Sequence, residues 1–353
     1  MLTKNNYDLD HINELKEKSG NDPGLIERVL FAFGLLEALK KVGMQFVFKG
    51  GTSLMLLLKE PKRLSTDIDI LVDPNTDVDI YLEKAERIFP FDRKEEQTRK
   101  GNNNITKRHF KFYYDSPRTK KPFYILLDVV FEKSPYSSLS KKEIYNSLLL
   151  TDGENLFVNI PTINCMLGDK LCAFAPNTTG IPYGVDKDME IIKQMFDTSC
   201  LIDEFDNQDE VFNVYSKSVE AESGFRGKNF TVVDCLKDSI RTCLCICSRG
   251  KFDATNYQAL IYGIKSLRTH VYGCRYSGEI SAQEACKVLY FSACLLTNHK
   301  FTRIEDGEEY LGIKTLPVPF NFCMPMRRMN PTAFGYLVEA SKLLEKNDIQ
   351  LNI

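Results

Sequence analysis

The hydrophobic pattern of the chain changes partway along. Apolar positions in residues 22–43 (DPGLIERVLFAFGLLEALKKVG) recur at helical spacing, with Asp22 placed as an N-cap, Pro23 in the first turn and Gly43 at the exit. Residues 45–49 (QFVFK) predict a short buried strand. After the Gly50-Gly51 break, residues 52–59 (TSLMLLLK) predict a mostly buried helix. Residues 60–66 form a polar, basic loop, and residues 67–72 (DIDILV) alternate and then run apolar, as a strand does. A surface helix is expected over 76–88 and a charged, Asn-rich loop over 92–108. Strands at 109–115 and 122–133 flank the turn-like SPRTKK and predict a hairpin. Helices are expected over 140–150, 163–175 and 187–202, with a short strand at 156–160. From about residue 207 onward nearly everything reads as helix, with loops near 222–229, 249–255, 273–280 and 300–330. The pattern therefore predicts an α/β (α+β) domain with a small mixed sheet over residues 1–203, followed by an all-helical C-terminal domain over residues 204–353.

Composition narrows the class. The 353 residues, 43% hydrophobic and 27% charged, suit about two globular domains. The net charge of −2 creates no global field toward nucleic acid, so such binding must come from local clusters. These lie at Arg93–Arg108, Arg118–Lys121 and Arg327–Arg328. No apolar run reaches the ~18 residues of a membrane span. The polar N-terminus lacks the apolar core of a signal peptide, so the expected location is cytoplasmic, with no membrane partner. The eleven cysteines, an odd number, read as reduced thiols. Cys243, Cys245 and Cys247 suit a buried helix rich in small thiols. The histidines His11, His109, His270 and His299 show no metal-ligand spacing.

The chemistry concentrates in Lys49-Gly50-Gly51-Thr52-Ser53 and Arg63-Leu64-Ser65-Thr66-Asp67-Ile68-Asp69. Residues two apart on a strand share a face, so Asp67 and Asp69 project together. Paired carboxylates repel unless a cation sits between them, and oxygen ligands completed by substrate phosphates suit Mg²⁺. Two glycines between strand and helix permit a tight turn and a close ligand approach. The helix that follows presents N–H groups and its positive dipole end, an anion site suited to a triphosphate, with the Thr52 and Ser53 hydroxyls as added donors. Asp128 interrupts the apolar run Tyr124–Phe131, where an unpartnered carboxylate is costly. If its strand lies beside that of Asp67 and Asp69, three acids share one metal site, and Asp128 is a base or further ligand. Lys170, in the otherwise apolar INCMLGDKLCAFA, needs a counter-charge: a triphosphate, or an ion pair such as one with Asp197. The polar stretch Asn177–Pro182 is either a base or ribose contact or an ordinary loop.

These residues resemble the AbiEii/AbiGii toxin family of nucleotidyltransferases in the DNA polymerase β-like superfamily. Its GG[TS] turn matches Gly50-Gly51-Thr52, its R-x-S-x-D-I-D strand matches Arg63 to Asp69, and its third strand aspartate matches Asp128. Its A-x-K-L-x-A-like helix matches Gly168 to Ala173, placing the catalytic lysine on Lys170. Its K-D-x-x-D-like helix matches Lys193 to Asp197, with Gln194 where an acid is usual. The resemblance implies a nucleotidyltransferase core in which Asp67, Asp69 and Asp128 bind Mg²⁺ or Mn²⁺. It implies that Lys49, Gly50, Gly51, Thr52, Ser53, Arg63, Ser65, Lys193 and Asp197 hold an NTP, and that Lys170 neutralises the departing pyrophosphate. It further implies an RNA acceptor, a tRNA 3′ end being the example, and a toxin of a toxin–antitoxin or phage-defence system checked by a cognate antitoxin. Two other readings fit the same residues. One is a kinase or transferase acting on a protein or small-molecule hydroxyl, and the other is a non-catalytic nucleotide-binding module.

Overall fold

The structure, a computed structural model, describes residues 1–97 and 106–351. These divide into two compact units. The first comprises Met1–Thr162 with Thr269–Arg275, and the second Ile163–Arg268 with Tyr276–Ile353.

In the first unit, α1 (Leu9–Ser19) and α2 (Pro23–Lys41) lead into β1 (Val47–Lys49), α3 (Gly50–Leu57), β2 (Ile68–Val72) and α4 (Asp79–Ala85). Strands β3 (Arg93–Gln97), β4 (Thr106–Asp115), β5 (Pro122–Phe131), β6 (Leu139–Glu143) and β7 (Phe157–Pro161) follow. The described strands form one mixed sheet in the order β3-β4-β5-β2-β1-β7-β6. The β2–β5 and β1–β7 pairs are parallel and the others antiparallel. Asp22 caps α2 as expected, its Oδ1 accepting from Leu25 N at 2.9 Å. Helix α2 is buried on most sides because it packs on the sheet, where the Phe31 ring stacks on Tyr114 at 3.6 Å between centroids. Of its two buried acids, Glu27 accepts from the hydroxyls of Tyr114 and Ser116, each at 3.1 Å. The distant segment 269–275 belongs to this unit through backbone pairing: Leu64 N donates to His270 O at 2.7 Å, and Tyr272 N to Lys62 O at 2.9 Å.

Three local expectations need correction. Residues 140–150 are not a helix. Leu139–Glu143 is an edge strand against β7, and Ile144, Leu148 and Leu149, whose spacing suggested a helix, are buried in the turns that follow. Its lysines guard a sheet edge, which local periodicity does not reveal. The expected loop at 92–108 contains strand β3 and the start of β4, while its residues 98–105 lie outside the described residues. Strand β3 is polar on both faces, so pairing with β4 rather than alternation defines it. Third, the 76–88 helix is confined to Asp79–Ala85. The guanidinium of Arg108 grips Asp79 in α4 and Glu96 in β3 at 2.9 and 2.7 Å, and holds both carboxyls below the usual carboxylate range.

The second unit is helical: α5 (Ile163–Ala173), α6 (Asp188–Ile202), α7 (Gln208–Phe225), α8 (Val232–Cys247), α9 (Ala254–Leu267), α10 (Gly278–Leu296), α11 (Met326–Met329) and α12 (Pro331–Lys346). Helix α5 packs on α6 and α7, and α10 packs on α6, α8 and α12. The division of the chain therefore falls after Thr162 and not near residue 203, because α5 and α6 bury their apolar faces within the helical unit. Cys243, Cys245 and Cys247 are buried in α8, where burial pushes their thiols up. Among the described residues no helix is long and apolar enough to cross a membrane.

Burial pushes the carboxyl of Glu284 in α10 up to about 8, against the opposing pull of Lys287 and Tyr276. Its Oε2 is buried with no hydrogen-bond partner. The folded protein thus holds a proton that the unfolded chain, at the ordinary value of 4.5, has released. This contribution to stability is full below the unfolded value and is lost as pH rises toward the folded one. Glu284→Gln, which stays neutral, should melt higher than the parent near pH ~9 and approach it near pH ~5 in paired thermal melts.

Candidate active site

The site begins where β1 meets α3. Gly50 has φ +77°, and a Cβ there would collide with the carboxylate of Asp69. A Cβ on Gly51 would meet the Arg63 guanidinium and the Ser65 hydroxyl. The two glycines are therefore wedged into the segment carrying the acids, and only residues without a side chain allow that approach. The Thr52 hydroxyl donates to Asp67 O at 2.6 Å, tying the head of α3 to the base of β2, and the Ser53 hydroxyl donates to Gly50 O at 2.9 Å. Both side chains are fully buried, so the hydroxyls expected to face a phosphate instead brace the turn. The head of the eight-residue α3 begins at Gly50, and Lys49 at its N-cap makes no side-chain capping bond. Backbone N–H groups are left as the donor set for an anion. Arg63 is buried, with Nη1 3.4 Å from Leu64 O.

Sheet register aligns the chemistry. Lys49, Asp69, Asp128, His109 and Gln97 are successive partners across β1, β2, β5, β4 and β3. Neighbours in such a row lie about 4.8 Å apart and share a face. One residue along, Phe48, Ile70, Val129 and Phe110 are buried on the other face. Asp69 and Asp128 are thus brought side by side, which meets the condition for a shared site, and Asp67 sits exposed just before β2. Asp128 has a partner that the sequence reading passed over: His109 Nδ1 lies 2.7 Å from its Oδ1. The signal was present. In HFKFYYD the buried Phe110, Phe112 and Tyr114 turn His109 to the opposite face, and counting back from the 116–121 turn pairs it with Asp128. Among the described residues, no group of three His, Cys, Asp or Glu side chains is arranged to hold a metal ion. A groove of about 400 Å³ starts two residues along β1 and β2 from this row, lined by Val47, Leu71, Thr76, Glu132, Lys133 and Asn159 among others.

Lys170, Lys193 and Asp197 belong to the helical unit. Lys170 is buried and ion-paired, its Nζ 3.1 Å from Asp197 Oδ2 and 3.3 Å from Gln194 Oε1. This is the counter-charge its apolar helix demands, and Gln194 takes part in it. Lys193 lies 3.7 Å from Glu190. The stretch 177–182 is pinned to α8. Asp238 accepts from Asn177 N and Nδ2, both at 2.7 Å, and from the Thr178 hydroxyl at 3.0 Å, while burial raises its carboxyl above the ordinary value.

The class of this enzyme is shown by comparison with a known family: it is a nucleotidyltransferase. Residues 34–243 match the family described as nucleotidyl transferase AbiEii toxin, type IV toxin–antitoxin system, and the chain belongs to it. The match spans parts of both units and contains every candidate residue named above. Two solved structures align along much of the chain. JHP933 from Helicobacter pylori is 13% identical, with 77% of this chain and 93% of that one covered and a TM-score of 0.45. A second H. pylori protein, provisionally described as a nucleotidyltransferase, is 12% identical, with 77% and 96% covered and a TM-score of 0.44. No curated protein matches the chain.

Two glycines with similar backbone separate the roles of conformation and contact. Gly43 has φ +81° and open space around its Cβ position, whereas Gly50 abuts Asp69. Gly50→Ala should lower unfolding free energy by roughly 1–3 kcal/mol and lose at least ~100-fold in transfer. Gly43→Ala should lose stability but keep its specific activity. Denaturant titrations and turnover assays on both variants check this.

Proposed function

We propose that the chain transfers a nucleoside monophosphate from an NTP to a hydroxyl of an RNA acceptor, a tRNA 3′ end being the example. It would do so as the cytoplasmic toxin of a pair held in check by a cognate antitoxin, with a role in phage defence. The observation that carries this reading is the register of Asp69 with Asp128 beside the Gly50-Gly51 turn. Backbone N–H groups from Gly50 to Ser53 cradle the phosphates, aided by the charge of Lys49, while Arg63 and Ser65 support the turn from beneath. Asp128, oriented by His109, accepts the proton of the attacking hydroxyl. The hydroxyl oxygen bonds to the α-phosphorus, the bond from the α-phosphorus to the bridging oxygen breaks, and pyrophosphate leaves with the electron pair. Within the helical unit, Lys170 is held by Asp197 at 3.1 Å, and Lys193 lies on the same helix as Asp197.

Among the described residues no three of the acids are arranged around one ion, but the pair in register, Asp69 and Asp128, suits a hard divalent cation, with Asp67 just before β2 as the other acid of the expected set. Asp67, Asp69 and Asp128 offer only carboxylate oxygens, and Mg²⁺ takes one or two protein carboxylates and completes its shell with phosphates and water. Held there, Mg²⁺ or Mn²⁺ would supply neutralisation of the charge building on the phosphate oxygens.

Asp67→Ala and Asp69→Ala should each reduce transfer at least ~1000-fold with an unchanged circular dichroism spectrum. The assay incubates protein, total cellular RNA and Mg²⁺ with α-labelled or γ-labelled NTP. Label entering RNA from the α position alone, and its loss on chelation, is the expected result. Label only from the γ position would mean phosphoryl transfer instead.

A further inference from the structure

The row of Asp69, Asp128 and His109 continues outward along the same face of β3, β4 and β5. On β5 that face carries Tyr124, Leu126 and Asp128; on β4 it carries Tyr113, Lys111, His109 and Lys107; on β3 it carries Arg93, Glu95 and Gln97. The opposite face is settled: Phe110, Phe112, Tyr114, Ile125, Leu127 and Val129 are all buried on the α2 side. The aromatic residues on the first face are therefore not part of that core. Tyr113 and Tyr124 are direct cross-strand partners, with ring centroids 5.7 Å apart. Each ring carries a cation: Arg93 lies over Tyr113 at 4.0 Å, and Lys111 over Tyr124 at 4.2 Å. Glu95 is the acid nearest these rings, and it is engaged, accepting from the Tyr113 hydroxyl at 2.6 Å with Arg93 at 3.7 Å.

Half-exposed rings interleaved with cations on an open sheet face match the chemistry of unpaired RNA. Bases stack on the rings and phosphates meet the cations, with no dependence on sequence. A duplex hides its base faces and would gain nothing from the tyrosines. The distance is also suitable: Tyr124 is four residues from Asp128 on one strand, about 13 Å, so a single strand crossing the rings would reach the row where the hydroxyl reacts. We infer that the β3–β4–β5 face, centred on Tyr113 and Tyr124 and flanked by Arg93, Lys107 and Lys111, is a docking platform for the unpaired 3′ segment of an RNA acceptor. This rests on the reading that RNA is the acceptor.

The test uses the full chain and a single-stranded oligoribonucleotide of about 12 nucleotides, within the site sizes such faces take. The double variant Tyr113→Leu/Tyr124→Leu keeps apolar bulk on the strands and removes the rings. It should weaken oligonucleotide binding and raise the RNA KM by about tenfold or more, leaving the melting temperature and the KM for NTP near those of the parent. Lys111→Ala should flatten the salt dependence of binding by about one unit of slope. A blunt duplex of the same length should bind the parent and the tyrosine variant alike. The platform is refuted if the parent labels RNA while the tyrosine variant binds and labels it equally well, a result that leaves nucleotidyl transfer to RNA standing. It is equally refuted if the variant's loss follows a matching fall in melting temperature that restores on stabilisation, since the rings then serve only the hairpin. A parent that neither binds nor labels RNA but labels protein or small molecules overturns the RNA reading itself.

Discussion

The contact between Gly50 and Asp69 is the constraint on which the site depends. The Asp69 carboxylate occupies the space a side chain would need on the preceding turn. That closeness requires a residue without Cβ in a left-handed conformation, which is why the β1–α3 connection is glycine. It also places the head of α3, with its unsatisfied N–H groups, next to the acids. Charge attraction for a phosphate and charge attraction for a cation thus meet within one turn of chain. In the proposed transfer each half needs the other, because carboxylates alone repel a triphosphate and a helix head alone has no means to polarise it.

The sheet supplies the remaining order. Parallel pairing of β2 with β5 brings Asp128 beside Asp69, and antiparallel pairing of β5 with β4 brings His109 beside Asp128. Each step across the sheet adds one group to the same row while the alternate residues fill the core with Phe48, Ile70, Val129 and Phe110. The carboxylate in this apolar run escapes the cost of burial because it lies part-exposed on the open face, where it pairs with the histidine at 2.7 Å. Stability and chemistry therefore share one register, since a one-residue slip of β5 would bury Asp128 and expose Val129. In the helical unit the same logic is local. Lys170 lies within a buried stretch of α5 because Asp197 and Gln194 on α6 satisfy its charge.

The refinements concern residues whose type was informative but whose direction was not. Thr52 and Ser53 carry hydroxyls at the head of α3, yet both turn inward and brace the turn through the backbone carbonyls of Asp67 and Gly50. His109 has no neighbour at ligand spacing in the sequence. Its partner lies nineteen positions away, and only the hairpin unites them. Leu139–Glu143 and Arg93–Gln97 became strands through partners far along the chain, which charged or lysine-rich segments do not announce.

Read alone, the sequence determined the mixed α/β start and helical remainder, the capped α2, the hairpin and the glycine turn, and it singled out Asp67, Asp69, Asp128 and Lys170 as candidates. These follow from short-range rules: periodicity, capping, and the cost of an acid or a lysine in an apolar run. Only the tertiary structure decided that the helical unit starts at Ile163, that His109 holds Asp128, that Asp197 holds Lys170, and that Tyr113 and Tyr124 share the face of the acids. Each of those facts depends on strand register or helix packing between segments distant in the chain, and the free energy that selects a register is a property of both partners together.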